Sequence, residues 1–482
     1  MKESFFKGVV AIGFSKYFGM LFTFLVTVIL SRVLSPSEFG IVAIAVSVST
    51  LLVIIADLGI SASVIQNKTL DDKDLNILHT IVFSFGVFLG LTAFLLSNTI
   101  AVFFEEMELK KIIALFSFYI ALFSLQVVPK AKLNLNRKFI KLGRIFVASQ
   151  LLSGIIAIFM ATKGYGVYSI VAKYITDSLV SSLLYGYSSK LKLTLNIRAS
   201  SFLKVFRYSL YQLLFNLTSF FSRNFDNFLL GKVLGKFDLG IYDRAYQLMH
   251  IPNQLTAQVF NLVLHPVLSE KQNNNDIIYS EYRKVFFATA LAGLPISVFL
   301  FLSSAEIIPI VYGSQWTNSI VVFKILTIST GFQMLTSTTG PLFQSTNRTD
   351  ILLVSGGINT LTIIIAIGFG VFFFGKLENI AMALTISFTI NFFITFKIVM
   401  NKLFERRTIK ILSLLKEPII YCLITCLSSM LVESIINKGY NNILLFTIRL
   451  LVTVILCTVF LRIHKRSKAK KLILEIKNGF LR

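Results

Sequence analysis

Two stretches of the chain decide the fold: LSRVLSPSEFGI, from Leu30 to Ile41, and LGKVLGKFDLGI, from Leu230 to Ile241. They align at an offset of 200 residues, with five of twelve positions identical and two more of like charge. Each stretch joins two long apolar runs, which predicts the turn of a helical hairpin. Because six such runs separate the copies, we expect two six-helix units in the same orientation, the arrangement of a rocking transporter.

The apolar runs are long enough to cross a bilayer. Of the 482 residues, 55% are hydrophobic and only 15% are charged, well below the quarter that is usual in soluble domains. A hydrocarbon core of ~30 Å needs about 20 apolar helical residues, and fourteen runs near that length lie between Val9 and Leu461. The predicted fold class is therefore an all-α polytopic membrane protein with about 14 transmembrane helices. The first run is too long for a signal peptide, so we expect it to remain as the first helix.

The duplication predicts three parts of the chain. An N-terminal lobe covers residues 1–203 with helices one to six, and a second lobe covers residues 204–400 with helices seven to twelve. Residues 401–482 contain two extra helices and a basic tail.

The basic residues predict the orientation of the chain. Of 47 Lys and Arg, 33 lie in the N-terminus, the even-numbered connections and the tail, whereas eight lie in the odd connections and six within spans. Basic residues concentrate on the cytoplasmic side of membrane proteins, so both termini are predicted to be cytoplasmic. The net charge of +24 is explained mostly by this asymmetry and does not predict nucleic-acid binding.

Ten charged residues lie inside predicted spans, where each would cost roughly 2.5–3.5 kcal/mol if it faced lipid. They must therefore pair, snorkel or face water. They are Lys16, Lys173, Arg223, Arg244, Lys324, Arg449, Asp57, Asp177, Asp226 and Asp243.

Spacing indicates which of these charges meet. Lys173 and Asp177 are four residues apart, and Arg223 and Asp226 are three apart, so each pair shares a helix face. Asp243 lies next to Arg244 near the outer end of the following helix. We therefore expect an ionic cluster of Arg223, Asp226, Asp243 and Arg244, either a salt-bridge network or part of a site.

Three further charges are expected to have separate roles. Lys16 and Asp57 could pair across the first hairpin. Lys324 has no acidic partner in its own helix and is expected to face a water-filled cavity. Arg449 is expected to snorkel or to make a structural contact. Because the intramembrane charges have a basic surplus, the cavity favours anions such as lipid-linked diphosphates or acidic sugars.

The run FSRNFDNFLLGKVLGKFDLGIYDRAYQLMHIP, from Phe221 to Pro252, resembles a known family. It is similar to the signature of helices seven and eight in the polysaccharide exporters of the multidrug/oligosaccharidyl-lipid/polysaccharide flippase superfamily. The matching positions are Arg223 with Asp226, Gly231 with Gly235, Gly240 with Tyr242, and Pro252. The segment from Arg32 to Gln66 is similar to the family's first hairpin, and GYGVYSIV (164–171) and HPVLS (265–269) also fit.

The resemblance, closest to exporters of O-antigen, colanic acid and teichuronic acid, implies a flippase rather than an enzyme. It implies a V-shaped cavity that opens alternately to each side of the bacterial cytoplasmic (inner) membrane. The implied cargo is an undecaprenyl-diphosphate-linked oligosaccharide unit of O-antigen, capsule or exopolysaccharide. Membrane lipids and the polymerase and chain-length proteins of the same pathway are the implied partners, and no cofactor, metal or catalytic residue is expected.

Together with the charge inventory, this resemblance assigns the candidate site. The expected substrate-binding residues are Lys16, Lys173, Arg223, Arg244 and Lys324. The expected ion-coupling or charge-pairing residues are Asp57, Asp177, Asp226 and Asp243.

Two other functions stay open. A multidrug or cation antiporter of the same superfamily would need exposed acids, which the basic surplus disfavours. An O-antigen polymerase or ligase usually has a long external loop, and the longest here is about fifteen residues, from Ala305 to Ser319. An ATP-driven pump is disfavoured because the chain has no G-x-x-x-x-G-K-[ST] motif.

Overall fold

The computed structural model describes residues 2–195, 198–269, 274–435, 441–463 and 469–470, with side chains except for residues 2–12, 258–269 and 349. Most of these residues are helical, and no strand occurs among them, which confirms the all-α class. The side chains of the HPVLS motif and the tail beyond residue 470 lie outside the described part. The chain divides into two compact units, unit 1 (Met1–Gly240) and unit 2 (Ile241–Arg482).

Unit 1 contains eight helices and the start of a ninth. They are α1 (Lys2–Val33), α2 (Pro36–Asp57), α3 (Ile60–Gln66), α4 (Asp72–Phe103), α5 (Glu108–Leu135), α6 (Phe139–Thr162), α7 (Tyr168–Ser189), α8 (Ala199–Val233) and α9 (Gly235–Ser269).

Unit 2 contains the remainder of α9 and ten further α-helices. They are α10 (Asn275–Leu302), α11 (Ser304–Val311), α12 (Ser319–Thr327), α13 (Thr330–Ser337), α14 (Thr339–Ser345), α15 (Thr349–Phe369), α16 (Leu377–Ile398), α17 (Ile409–Leu412), α18 (Lys416–Ile435) and α19 (Asn442–Ile463). Short π-helical segments, Gly370–Phe374 and Val399–Leu403, follow α15 and α16.

Within the described residues, ten helices are long and apolar enough to cross a membrane, or eleven if a bent pair counts as one span. The chain is thus a multi-pass membrane protein. The helices α7, α8 and α9 are not among these ten apolar helices. They have 22, 35 and 35 residues, so at 1.5 Å per residue each is long enough to cross ~30 Å. They carry six of the ten charges of the predicted spans. The count of fourteen spans remains a prediction.

The two matched stretches fold alike. The helix α1 ends at Val33 and α8 ends at Val233, which keeps the offset of 200 residues. The N–H of Leu34 donates to the carbonyl of Leu30, and the N–H of Leu234 donates to the carbonyl of Leu230. The N···O distance is 2.8 Å in both hydrogen bonds. The sequence match therefore corresponds to two hairpin turns of the same construction.

The two turns pack against each other within unit 1 through a reciprocal glycine contact. A Cβ atom on Gly40 would lie 1.7 Å from the carbonyl oxygen of Lys236, and a Cβ on Gly240 would lie 1.9 Å from that of Pro36. Residues 36 and 236 are themselves equivalent at the offset of 200. Only glycine allows the backbones to approach so closely.

The helix α8, which we expected to open the second lobe, packs along the other helices of unit 1. Near its start, the hydroxyls of Ser209 and Ser63 on α3 are 2.7 Å apart. At its end, the Nζ of Lys232 lies 2.6 Å from Oε1 of Glu105, and this ammonium lowers the pKa of the Glu105 carboxyl. The predicted lobe boundary at 203/204 thus falls inside a compact unit and remains a prediction.

The tenth apolar run, expected as one span from Ile320 to Phe343, is broken. It forms α12, α13 and α14, with a bend of 50° after Thr327. The hydroxyl of Ser297 on α10 donates to the carbonyls of Thr327 and Ile328, and Thr385 on α16 donates to that of Ile325. Hydroxyls from other helices therefore satisfy carbonyls that the break releases.

Candidate functional site

Asp243 and Arg244 form a buried ion pair at the start of unit 2. The Nη2 of Arg244 lies 2.6 Å from Oδ2 of Asp243, and both residues are less than a tenth exposed. The side-chain amide of Gln247 on the same helix donates to both carboxylate oxygens of Asp243, at 3.0 Å from each. The guanidinium that we expected to bind substrate is thus held by its neighbour, and this is the geometry of a structural pair.

Arg449 makes the structural contact that we considered for it. It is 2% exposed, and its Nη1 lies 3.3 Å from Oε2 of Glu306 and donates to the carbonyl of Leu302. The partner Glu306 lies on α11, in a segment that we expected to be an external loop. This pair fastens α19 to α11 within unit 2.

Four of the cations on helices of predicted spans show the opposite behaviour. Their side chains are exposed, and within the described residues none has an ion pair with a carboxylate within 4 Å. They are Lys16 on α1, Lys130 on α5, Arg223 on α8 and Lys324 on α12.

Lys130 is the residue that connects the charges of unit 1. It lies inside α5, one residue after Pro129, rather than in the loop where we expected it. Its ammonium interacts electrostatically with Asp57 on α2, Asp177 on α7 and Lys16 on α1, and it lies 5.9 Å from the ring centroid of Tyr185. The expected direct pair of Lys16 with Asp57 is not formed in the described structure.

Asp177 is fixed by hydrogen bonds from α6. Nε2 of Gln150 donates to its Oδ1 over 3.0 Å, and Oε1 of Gln150 in turn accepts from the Thr23 hydroxyl of α1 over 2.9 Å. Lys173 acts on Asp177 electrostatically and lies 5.8 Å from the ring centroid of Tyr174. The carboxylate on α7 is therefore oriented by α6, which is in turn supported by α1.

Asp57 holds the joint between α2 and α3. Its carboxylate accepts from the Ser61 hydroxyl over 2.9 Å and from the Ser61 N–H over 3.4 Å, as a cap of α3 does. Between the two helices, Leu58 and Gly59 have φ of 53° and 71°. A Cβ on Gly59 would lie 2.3 Å from the carbonyl oxygen of Ser209, so glycine is required there for both conformation and space.

Arg223 and Asp226 share α8 but are separated by their surroundings. Asp226 is 5% exposed and accepts the N–H of Asn227 over 2.9 Å, whereas Arg223 is exposed. No ion pair joins the two in the described part of unit 1. Within unit 2, the Asp243–Arg244 part of the expected cluster is formed.

Lys324 lies one turn before the break that follows α12. Its Nζ is 4.9 Å from the ring centroid of Phe301 on α10, a cation–π contact that leaves the ammonium exposed. An exposed cation next to a helix break is typical of a substrate pathway in transporters.

The arrangement in unit 1 can bind an anion without covalent chemistry. Lys16, Lys130 and Lys173 carry three positive charges around the two carboxylates of Asp57 and Asp177, and both carboxylates already accept hydrogen bonds. A phosphate group would gain charge-assisted hydrogen bonds from the lysines.

The fold is that of a class of membrane transporters. The structure superimposes on the lipid II flippase MurJ in an inward closed conformation with a TM-score of 0.73, at 17% identity, over 94% of this chain and 99% of that one. The chain belongs to the family of polysaccharide biosynthesis proteins, whose model matches residues 29–321.

Two relatives from bacteria are similar over most of the chain. The lipopolysaccharide biosynthesis protein WzxC of Escherichia coli K12 is 22% identical over 344 residues, which is 71% of this chain and 70% of the relative. The succinoglycan biosynthesis transport protein ExoT of Rhizobium meliloti is 25% identical over 344 residues, with 70% and 67% covered. The names of both relatives and of the structural neighbour describe biosynthesis, transport or flipping.

Proposed function

We propose that this chain is a flippase that moves undecaprenyl-diphosphate-linked oligosaccharide units across the bacterial cytoplasmic membrane by alternating access. The observation that carries the proposal is the division of the charges. Lys16, Lys130, Arg223 and Lys324 are exposed without an ion pair in the described residues, whereas the acids of the spans accept hydrogen bonds or are paired.

The cost of exposing a cation to lipid makes this division informative. At roughly 2.5–3.5 kcal/mol each, four lipid-facing cations would together cost on the order of 10 kcal/mol, comparable to the whole stability of a typical domain. We therefore place these side chains in water. A wet, basic surface inside a membrane attracts an anion that cannot cross alone, and a diphosphate on a lipid carrier fits that description.

The proposed substrate-binding set follows from these positions. Lys16, Arg223 and Lys324 keep the role that the sequence analysis gave them, Lys173 contributes beside Tyr174, and Lys130 is added. We withdraw Arg244 from the set because its guanidinium is buried against Asp243.

The acids are proposed to position cations rather than to bind cargo. Asp177 is held by Gln150 and Asp57 by Ser61, so each presents a fixed charge to Lys130. Ion coupling at Asp57 or Asp177 remains a proposal. A cationic drug would meet the lysines at this site, which disfavours the antiporter alternative.

The family membership supports the class of cargo, because relatives are named for making and transporting surface polysaccharides. We further propose cytoplasmic termini from the charge asymmetry, two lobes over residues 1–203 and 204–400, and residues 401–482 as an appended hairpin and tail. The polymerase and chain-length proteins of the same pathway are proposed as downstream partners.

The test is transport by the purified chain in liposomes. A fluorescent undecaprenyl-diphosphate oligosaccharide is translocated, and the fraction protected from a membrane-impermeant quencher is followed with time. Lys130→Gln, Arg223→Ala and Lys324→Ala are each expected to slow translocation at least about tenfold, since a charge-assisted hydrogen bond is worth about 1.5–3 kcal/mol.

Lys111→Gln is the matched control, because this lysine is exposed at the start of α5 and outside the charge cluster. It should transport at the wild-type rate. Wild-type rates for Lys130→Gln and Arg223→Ala in correctly folded protein would contradict the proposal.

A further inference from the structure

A second charged feature of unit 1 lies where α4 and α8 begin. A cavity of about 260 Å³ opens there, lined among others by Lys73, Asp74, Arg198, Ser200 and Lys204. It lies at the opposite end of α4 from Glu105, and α4 has 32 residues.

Of the two acids in the cavity wall, Asp71 and Asp74, the second is already neutralised by a lysine. Asp74 is 7% exposed, and its carboxylate accepts from Nζ of Lys204 over 2.7 Å and from the Ser201 hydroxyl over 2.7 Å. It also accepts the N–H of Asp71, whose own carboxylate caps α4. Little charge on Asp74 is left to repel an anion.

Two cations in the same wall have no such partner. Lys73 and Arg198 are exposed and form no ion pair in the parts of the chain that the structure describes. Ser200 adds a hydroxyl at the first turn of α8. The cavity therefore offers two free cations and a hydroxyl donor, which is the recognition chemistry of a phosphate group.

Two exposed leucines flank Thr194, a residue of the cavity wall. In the connection between α7 and α8, Leu193 is 50% exposed and Leu195 is fully exposed. The segment is held in place, because the N–H of Lys192 donates to Oδ1 of Asn76 and the N–H of Thr194 to the Thr80 hydroxyl, both over 2.9 Å. The backbone on both sides of Leu193 is thus fixed next to the cavity wall.

We propose that this cavity binds the headgroup of an anionic phospholipid, with Lys73 and Arg198 on the phosphate and Leu193 and Leu195 against the acyl chains. Basic pockets at the ends of membrane helices bind anionic lipid headgroups in this way. The predicted orientation places the cavity at the cytoplasmic leaflet, whose surface is anionic. The site does not depend on the proposed transport function.

The test is lipid binding by the full-length chain. The protein is purified, delipidated and titrated with phosphatidylglycerol or with phosphatidylcholine of the same acyl chains, and bound lipid is counted by native mass spectrometry. We expect phosphatidylglycerol to bind more tightly than phosphatidylcholine. The double variant Lys73→Gln with Arg198→Gln should weaken phosphatidylglycerol binding at least about tenfold, because each cation near an anionic lipid surface contributes roughly fivefold.

The matched control is Lys110→Gln with Lys111→Gln, which removes the same charge from exposed lysines at the start of α5, the other end of unit 1. It should bind phosphatidylglycerol as the wild type does. Unchanged affinity of the Lys73/Arg198 variant, or equal affinity of the wild type for both lipids, would overturn the proposal.

Soluble glycerol 3-phosphate and inorganic phosphate distinguish a lipid from a free phosphate. The lipid assignment fails if two results occur together. One is that either compound displaces phosphatidylglycerol at millimolar concentration, and the other is that Leu193→Ser and Leu195→Ser leave the affinity for phosphatidylglycerol unchanged. The site would then bind free phosphate.

Discussion

The reciprocal contact between the two matched turns predicts the effect of adding one carbon atom. In Gly40→Ala, the new Cβ would lie 1.7 Å from the carbonyl oxygen of Lys236, although real Cβ atoms essentially never come within 3.0 Å of another heavy atom. The turn between α8 and α9 must therefore retreat by at least 1.3 Å, the difference between these distances. Because the opposing atom belongs to the backbone, no side-chain rotation relieves the clash.

The magnitude follows from two opposing effects. Overpacking costs about 1–3 kcal/mol, and the upper end applies where the backbone must move. Replacing glycine by alanine inside a helix returns about 1 kcal/mol. We expect Gly40→Ala to lower the free energy of unfolding by about 2 kcal/mol. The control Gly186→Ala on α7 has no atom within 4 Å of its new Cβ, so it should be neutral or stabilising by up to about 1 kcal/mol.

Equilibrium unfolding in mixed micelles measures both variants against the wild type. Gly240→Ala, whose Cβ would lie 1.9 Å from the Pro36 carbonyl oxygen, should resemble Gly40→Ala. One retreat of the turn relieves both clashes, so the double variant should lose less than the sum of the single losses. If Gly40→Ala is as stable as Gly186→Ala, the reciprocal contact is not present in the folded protein.

Three further substitutions test other contacts. Arg449→Met should cost about 3–5 kcal/mol of unfolding free energy because it leaves the buried Glu306 unpaired, and Glu306→Met added to it should recover most of that loss in the same mixed-micelle assay. Ser297→Ala should cost about 1–3 kcal/mol because it removes a donor from two carbonyls at the bend of the broken span, again read from unfolding. Gln150→Leu removes the donor that orients Asp177, so it should slow translocation in liposomes severalfold, and an unchanged rate would show that the carboxylate needs no such support.

The duplicated turns show that helix ends can be predicted from local sequence. The match between Leu30–Ile41 and Leu230–Ile241 predicted two equivalent hairpins, and their helices end at equivalent residues with equivalent hydrogen bonds. Helix ends and turns depend on neighbours in sequence, which an alignment displays. That the turns also contact each other depends on long-range packing, and it was not predictable from either copy alone.

Lys130 shows that the end of an apolar run does not mark the end of a helix. The run ends at Pro129, and we took that residue as the end of the helix, whereas α5 continues to Leu135. A loss of hydropathy indicates where the hydrocarbon ends and does not indicate where the backbone stops being helical. Extending each predicted helix by a turn or two beyond its apolar run would have placed Lys130 within a helix, whereas its neighbours Lys16 and Asp57 depend on long-range packing.

The broken span shows a second limit of local sequence. The segment from Ile320 to Phe343 is uniformly apolar enough for one helix, and no proline or charge lies at the bend after Thr327. The hydroxyls of Ser297 and Thr385, on helices distant in sequence, donate hydrogen bonds to carbonyls near the break. Ser329, Thr330 and Gly331 at the bend weaken a helix locally, but the donors that stabilise the break belong to other helices and cannot be read from the segment itself.

Charged residues that form buried ion pairs and charged residues that form none are expected to differ in their effects on stability and transport. The Arg449–Glu306 pair joins residues 143 positions apart, so sequence could list the charge but could not find its partner. A buried pair of this kind can be retained for packing alone. An exposed cation without a direct ion pair in the described residues, such as Lys130, adds nothing comparable to folding, so stability does not account for its place within a helix of a predicted span. The two classes should therefore separate experimentally, with Arg449→Met lowering stability and Lys130→Gln lowering transport at unchanged stability.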